Sequence, residues 1–345
     1  MACRRPRFRG RLPITLADLG EFGLIAHIQS LLPAGPGQIV GIGDDAAVVR
    51  APDQRVVATT DLLVEGRHFR REWSSAFDIG AKAAAQNLAD IAAMGASPTA
   101  LLVGLAAPGD LAVSWAQDLV RGLGDEARRA GAAVVGGDVS SAESVVLAVT
   151  ALGDLGGRDP VTRGGACPGD RVAVAGVLGR SAAGLALFEA GLGEPAERAR
   201  RVREAGGSSK AITDISKLIA SHQRPRPPYG AGPEAAGLGA TSMIDISDGL
   251  LADLRHVTDA SGVLIDVQTA RLPDDPGLHL TGRLVGADPL MWVLTGGEDH
   301  ALAATFPHEV SLPDRWRVIG SVSDGAGVTV DSVPADGRGG WRHFS

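Results

Sequence analysis

GIGDDAAVV (41–49) is the stretch whose reading decides the fold. Its Gly41-x-Gly43-x-x-Ala46 spacing imitates a dinucleotide-binding turn, where backbone N–H groups at a helix N-terminus hold a pyrophosphate. Such a turn must open a helix. Here it runs into Ala46-Ala47-Val48-Val49-Arg50-Ala51-Pro52, too short for a crossover helix and closed by proline. Asp44 and Asp45 would also repel phosphate directly. The dinucleotide reading fails, and AAVV reads as a strand. The lysine-bearing phosphate loop fails too, because GGSSK (206–210) has the wrong spacing.

Working outward from that loop, LGEFGLIAHIQSLL (19–32) has helical spacing of Phe22, Ile25, Ala26 and Leu32. RVVATTDLLV (55–64) is strand-like. SSAFDIGAKAAAQNLADIAAMGA (74–96) predicts a helix from a serine start, an alanine-rich run and Gly95 as stop. TALLVGLAAP is a strand, and 111–132 is an amphipathic helix with a glycine end. AAVVGGDVS and SVVLAVTALGDL are two strands with a turn between them. VTRGGACPGDRVAVAG leads into another strand, followed by the helix SAAGLALFEAG and a charged helix near 194–204. HQRPRPPYGAGP (222–233) is proline-rich and excludes regular helix. TSMIDIS is a strand and DGLLADLRHVTDASG a helix. Strands interleaved with long helices indicate a mixed α/β (α+β) protein.

The 345 residues exceed what one hydrophobic core usually serves, so two domains are expected: 19–160 and 161–345, after a basic tail at 1–18. The net charge of −7 argues against nucleic acid as the main partner. It leaves open a phosphate ligand reached through metal ions. Only Cys3 and Cys167 are present, which fits a reducing cytoplasm, and no apolar run of about 18 residues suggests a membrane span.

What the chain offers repeatedly is aspartate after apolar runs: Asp45, Asp61, Asp90, Asp138, Asp245 and Asp248. Each has a bland explanation. Asp45 suits a turn, and Asp138 could follow a Gly136-Gly137 turn. Asp248 could cap a helix. Asp90 could lie on a solvated stripe with Lys82 and Gln86. If these carboxylates instead converge, their repulsion demands cations. Magnesium takes hard oxygen ligands and bridges carboxylates to substrate phosphates.

GIGDDAAVV, TTDLLVEGRHF, NLADIAAMGASP, GGDVSS, TRGGACPGD, IDISDGL and TGGEDHAL occur in this order. Together they resemble the thiamine-monophosphate kinase family of the aminoimidazole ribonucleotide synthetase-like superfamily. The likeness runs from about Gly20 to Phe344. It implies the two-domain fold of that superfamily, with an N-terminal domain that binds ATP and magnesium and pairs its sheet in a homodimer, and a C-terminal α/β domain. It implies phosphorylation of thiamine monophosphate by ATP with several Mg²⁺ ions, by direct in-line transfer. Carried over by motif, Asp45, Thr59, Thr60, Asp61, Asp90, Asp138, Asp245 and Asp248 would hold magnesium, some through water or backbone oxygen. Gly137, Asp138, Arg163 and Ser247 would contact ATP. His68, Glu298 and Trp341 would contact thiamine monophosphate, with Asp44 as a supporting residue.

Loose phosphoryl transfer needs alignment and charge neutralisation more than a covalent catalyst, and the acceptor oxygen is already ionised, so no general base is required. Arg163 could fork onto phosphate, Trp341 could stack on the cationic acceptor, and Glu298 could accept from its aminopyrimidine. The chain departs from the family pattern at its basic tail and at His300, where tyrosine is expected. Sister enzymes remain as alternatives: selenophosphate synthetase, aminoimidazole ribonucleotide synthetase and the hydrogenase-maturation relative. So does a non-catalytic nucleotide sensor. Cys3 lies outside the glycine-rich context of a selenophosphate synthetase, and WRHFS lacks the terminal cysteine of the maturation protein.

Overall fold

The computed structural model describes residues 14–42 and 46–335. Asp44, Asp45, Trp341, Cys3 and most of the basic tail lie outside the described residues. The elements follow the sequence pattern through the first half. α1 (Leu16–Leu31) opens with a reciprocal cap between Thr15 and Asp18 and is kinked at Gly20. β1 (Gln38–Val40) pairs with β2 (Val48–Val49), so the loop 41–47 joins two strands. β3 (Val57–Val64), α2 (Ala76–Ala93), β4 (Ser97–Ala107), α3 (Val113–Arg129), β5 (Ala133–Ser141) and β6 (Val146–Asp154) follow. Ser75 caps α2 by accepting from the Asp78 N–H, and Gly95 ends it at φ 75°.

Strands β3 to β6 form a four-stranded sheet in the order β3-β6-β4-β5. β5 and β6 are consecutive but do not pair. β5 lies parallel to β4 on one side, and β6 lies antiparallel to it on the other. Gly136 and Gly137 are inside β5, not in a turn before Asp138. A Cβ on Gly137 would sit 2.0 Å from the Val103 carbonyl oxygen, so the close backbone approach requires glycine.

The second half contributes β7 (Arg171–Ala175), α4 (Arg180–Glu189), α5 (Pro195–Glu204), α6 (Ser209–Gln223), α7 (Ala231–Gly237), β8 (Ser242–Ile246) and α8 (Leu250–Ser261). β9 (Leu264–Val267), α9 (Pro276–Val285), α10 (Pro289–Thr295), β10 (Ala301–Phe306), β11 (Trp316–Ser323), β12 (Gly327–Val330) and β13 (Val333–Pro334) complete it. The proline-rich stretch 222–233 is less irregular than its composition predicts. Its first two residues close α6, and Ala231, Gly232 and Pro233 open α7. Proline is tolerated there because first-turn N–H groups have no intrahelical partner.

The seven-stranded sheet runs β13-β12-β9-β11-β7-β10-β8. Its central strands are buried on both faces, and the two-residue period sorts their side chains between two cores. Leu302, Ala304 and Phe306 of β10 join Leu63, Ile79, Leu88 and Leu147 of the first half. Ala301 and Ala303 join Leu187, Ile215, Leu218 and Leu254 on the far side.

α2 is buried on nearly every side. It crosses α3 at paired glycines: a Cβ on Gly80 would lie 2.0 Å from the Leu119 carbonyl oxygen, and one on Gly122 1.9 Å from that of Phe77. Between the halves, Trp73 stacks on Phe188 with ring centres 5.2 Å apart, and Phe188 tilts against His222 at 5.9 Å. His222 is buried, with Nδ1 3.2 Å from the Ser181 hydroxyl. Burial, then the Lys82 charge, pushes its pKa down to about 4.

Two outcomes follow from this packing. Gly122→Ala should destabilise the fold by about 3 kcal/mol, read as a lower urea midpoint. Helix propensity alone would stabilise it by about 1 kcal/mol, so a rise in the midpoint would contradict the close crossing. His222 acts through pH. Below its ordinary value of 6.5 the unfolded chain takes up a proton that the folded chain refuses down to about 4, so stability falls as pH falls through that window. Lowering the pH from about 7 to about 4.5 should cost the parent on the order of 2 kcal/mol more than a His222→Gln variant. Parallel unfolding-versus-pH curves for the two proteins would exclude this.

Candidate active site

The site is built where α2 passes between the two sheets. Strand alternation puts Thr59 and Asp61 on the face of β3 that meets α2. The Thr59 hydroxyl donates to Asp90 Oδ2 at 2.8 Å, and the Asp61 N–H donates to Asn87 Oδ1 at 3.0 Å. Asn87 is fully buried and anchored in turn on the Ala83 carbonyl. Thr60 points to the opposite face, where its hydroxyl donates to the Val149 carbonyl at 3.1 Å and accepts from Thr150. Asp90 therefore faces β3, and Lys82 on the same helix is 2% exposed, so the solvated stripe suggested by their spacing does not exist.

From the other half, β8 delivers Asp245, which accepts a 3.1 Å hydrogen bond from His300 Nδ1 in a buried pair. The turn after β8 holds Ser247 and Asp248 and ends at Gly249 (φ 123°), the N-cap of α8. Asp253 in the first turn of α8 reaches back to this turn, where its Oδ2 accepts from the N–H groups of Asp248 and Gly249 at 3.1 Å each. Asp248 is thus not the cap of α8. A Cβ on Gly249 would meet the Thr295 carbonyl oxygen at 2.6 Å, so glycine lets this turn lie against the end of α10.

These elements bring Asp61, Asp90 and Asp245 within electrostatic reach. Burial, then the charges of Asp245 and Asp61, pushes Asp90 up to about 7, against the Thr59 hydroxyl. Burial and Asp245 likewise push Asp253 up to about 7. Burial opposes charge on His300, but its bond to Asp245 and the Asp90 and Glu298 charges outweigh that, holding its pKa above the ordinary value. Among the described residues, no three His, Cys, Asp or Glu side chains are gathered closely enough to hold a metal ion. The donor chemistry still fits a hard cation: carboxylates and a hydroxyl share a half-buried space with too little positive charge.

The loop 296–300 forms the next wall. The Glu298 N–H donates to the Ser247 carbonyl at 2.7 Å, and the His300 N–H to that of Ile246 at 2.9 Å. Glu298 and His300 both have positive φ, 65° and 52°, uncommon for residues with a side chain. Between them, Asp299 is buried and accepts from the Gly179 and Ser181 N–H groups at 2.5 and 2.8 Å, at the start of α4. Glu298 Oε1 is 2.9 Å from Lys82 Nζ, and Oε2 is 3.6 Å from His222 Nδ1. Burial raises the Glu298 carboxyl, and Lys82 and His222 more than reverse this. His68 accepts from the Val64 N–H at Nδ1 (3.0 Å), which leaves the proton of the neutral ring on Nε2. Its carbonyl accepts from Lys82 at 3.1 Å.

Asp138 and Arg163 are both exposed. Gly137 and Asp138 line a hollow of 860 Å³ together with Gly41, Ile42, Ala46 and Ala47. The Arg163 carbonyl accepts from the Ser261 hydroxyl at 3.1 Å, tying its loop to the end of α8. Sequence reasoning missed Asn87, Asp253, Asp299 and His222, and read Lys82 only as a surface residue. The NLADIAAMGA run contained the signal for Asn87 and Asp90, three residues apart on one helix face. No local signal marks the other four.

The family described as AIR synthase related protein, N-terminal domain, matches residues 43–155. Thiamine-monophosphate kinase of Mycobacterium tuberculosis is 48% identical over 332 residues, 96% of this chain and 93% of that protein. The crystal structure of thiamine-monophosphate kinase from Stenotrophomonas maltophilia superposes with a TM-score of 0.78 at 32% identity, covering 90% of this chain and 96% of that one. A complex of AaThiL with AMPPCP and TMP gives 0.74 at 33% identity, covering 98% and 100%. Among the described residues no helix is long and apolar enough to cross a membrane. With identity of this order over nearly its whole length, the chain belongs to the thiamine-monophosphate kinase family, with its AIR synthase-like fold.

Proposed function

We propose that this chain transfers the γ-phosphoryl group of ATP to thiamine monophosphate. An acceptor phosphate oxygen attacks the γ-phosphorus in line, the bond to the β-phosphate oxygen breaks, and ADP and thiamine diphosphate leave. The observation that carries this reading is that Asp61 of β3 and Asp245 of the distant β8 lie within electrostatic reach of Asp90, which burial and their charges push up to about 7. Such a pool of carboxylate suits a triphosphate brought in with divalent cations. The relatives' names and the AaThiL complex with AMPPCP and TMP support the same substrates.

Asp45, Thr59, Asp61, Asp90, Asp138, Asp245 and Asp248 are the residues we assign to Mg²⁺, some through water, with Thr60, whose hydroxyl faces the other side of β3, contributing through its backbone oxygen. Several magnesium ions, when bound, would neutralise charge between these oxygens and the triphosphate. The remaining work belongs to alignment. Gly137 and Asp138 border the hollow we assign to the nucleotide, with Arg163 and Ser247 as further ATP contacts. The Nε2–H of His68 donates to a phosphate or acceptor group. Glu298 accepts from the aminopyrimidine, and Trp341 stacks on the acceptor. We read 19–160 as the nucleotide-binding and dimerising unit and 161–345 as the second unit. Ala58, Thr60 and Leu62 are exposed along one face of β3, and Leu62 is 56% exposed, which supports a second copy of the chain covering that face. Cysteine usage supports a cytoplasmic setting.

ADP release measured against a panel of acceptors tests the reading. Turnover should require thiamine monophosphate, and turnover only with selenide or a formylglycinamidine ribonucleotide would move the chain to a sister activity. Asp61→Asn and Asp138→Asn should each lower kcat at least about 100-fold, as loss of a charge-stabilising group does. The Asp61 variant should keep or raise the thermal midpoint, since it relieves repulsion. Near-normal rates in both variants at saturating Mg²⁺ would remove these residues from the metal site.

A further inference from the structure

Lys82 is a buried charge that the proposed chemistry does not use. An ammonium withdrawn from water is costly unless well paired, so its surroundings ask what it holds. It sits in the middle of α2, one of the most enclosed elements of the fold, and is 2% exposed. Its Nζ donates to the His68 carbonyl at 3.1 Å and lies 2.9 Å from Glu298 Oε1. One partner belongs to the turn after β3 and the other to the loop before β10, so a single ammonium joins two segments far apart in sequence.

The pairing is asymmetric. The lysine side chain is 3% exposed, whereas that of Glu298 is 34% exposed. The cation therefore stands behind the carboxylate and leaves part of it facing outward. At 3.6 Å, His222 Nδ1 is beyond hydrogen-bond range of Oε2, so Oε1 carries the anchoring contact. Glu298 is also held in left-handed backbone, a conformation that needs outside support in a residue with a side chain. On the other segment, the Val64 N–H orients the His68 ring while Lys82 holds its carbonyl.

We propose that Lys82 is a positioning residue that sets the Glu298 carboxylate from behind to receive the acceptor substrate. This rests on the reading of Glu298 as a contact to thiamine monophosphate. It makes Lys82 a determinant of acceptor affinity, not of nucleotide affinity.

Steady-state kinetics of Lys82→Met, Glu298→Gln and the double variant provide the test, with both substrates varied. Lys82→Met should raise KM for thiamine monophosphate about tenfold, the scale of a misplaced contact, and leave KM for ATP within about twofold. The double variant should bind the acceptor no worse than Glu298→Gln alone, because both changes remove one coupled unit. An unchanged acceptor KM in Lys82→Met, or equal rises for both substrates, overturns the proposal while a raised KM in Glu298→Gln leaves the underlying reading intact. An unchanged KM in Glu298→Gln removes that reading and the proposal with it. If Lys82→Met does not fold, the neutral double variant decides. An acceptor KM several-fold above that of Glu298→Gln makes the lysine's effect independent of Glu298 and overturns the proposal.

Discussion

The close crossing of α2 and α3 at Gly80 and Gly122 is the constraint on which the rest of the molecule depends. Each glycine admits the carbonyl oxygen of the facing helix into the space a Cβ would fill. That brings the axes together and lets α2 be enclosed on nearly every side. A third contact of this kind occurs near its end, where a Cβ on Gly232 would lie 1.9 Å from the Ala92 carbonyl oxygen. With both ends fixed by backbone contact, α2 has little freedom to slide or turn. Lys82, Asn87 and Asp90 inherit that rigidity, and they meet β3, β8 and the 296–300 loop at set distances.

On that frame the charges fall into two groups with opposite character. Asp61 and Asp245 repel Asp90, Asp245 also repels Asp253, and burial adds to the cost of charge on Asp90 and Asp253. Lys82 and Glu298 are paired, and Glu298 stays below its ordinary value despite burial. His300 links the groups through its bond to Asp245. A group of mutually repelling carboxylates therefore borders a pair already neutral, which suits the proposed reaction between a highly charged nucleotide and a second, partly cationic substrate.

Much of the local structure was legible because caps and stops act over a few residues. Ser75 and Gly95 bracket α2, and the alanine-rich run between them favours helix. α6 shows the limit of this reading. Ser208 accepts from the Ala211 N–H and is a good cap, yet GGSSK drew attention as a failed phosphate loop and the helix beyond it was overlooked. The prolines at 225–228 then concealed where α6 stopped and α7 began. In β5, the Gly136-Gly137 pair looks like a turn because glycine is commonest there. It is a strand because the Val103 backbone needs the space.

The sequence by itself determined the order and kind of most elements, the rejection of the dinucleotide turn, and the family, because these rest on short-range spacing and on motifs that stay in register along the chain. Tertiary structure alone decided which aspartates share one field, that it is Thr59 and not Thr60 that faces α2, and that Lys82 is buried against Glu298. The physical reason is distance along the chain. Asp61 and Asp245, or Lys82 and Glu298, are brought together only by the packing of α2 between two sheets, and no local propensity reports that contact. The loop GIGDDAAVV shows both sides. Its composition excludes one ligand chemistry, while the surface it joins, beside Gly137 and Asp138, becomes visible only once β5 is laid against β4.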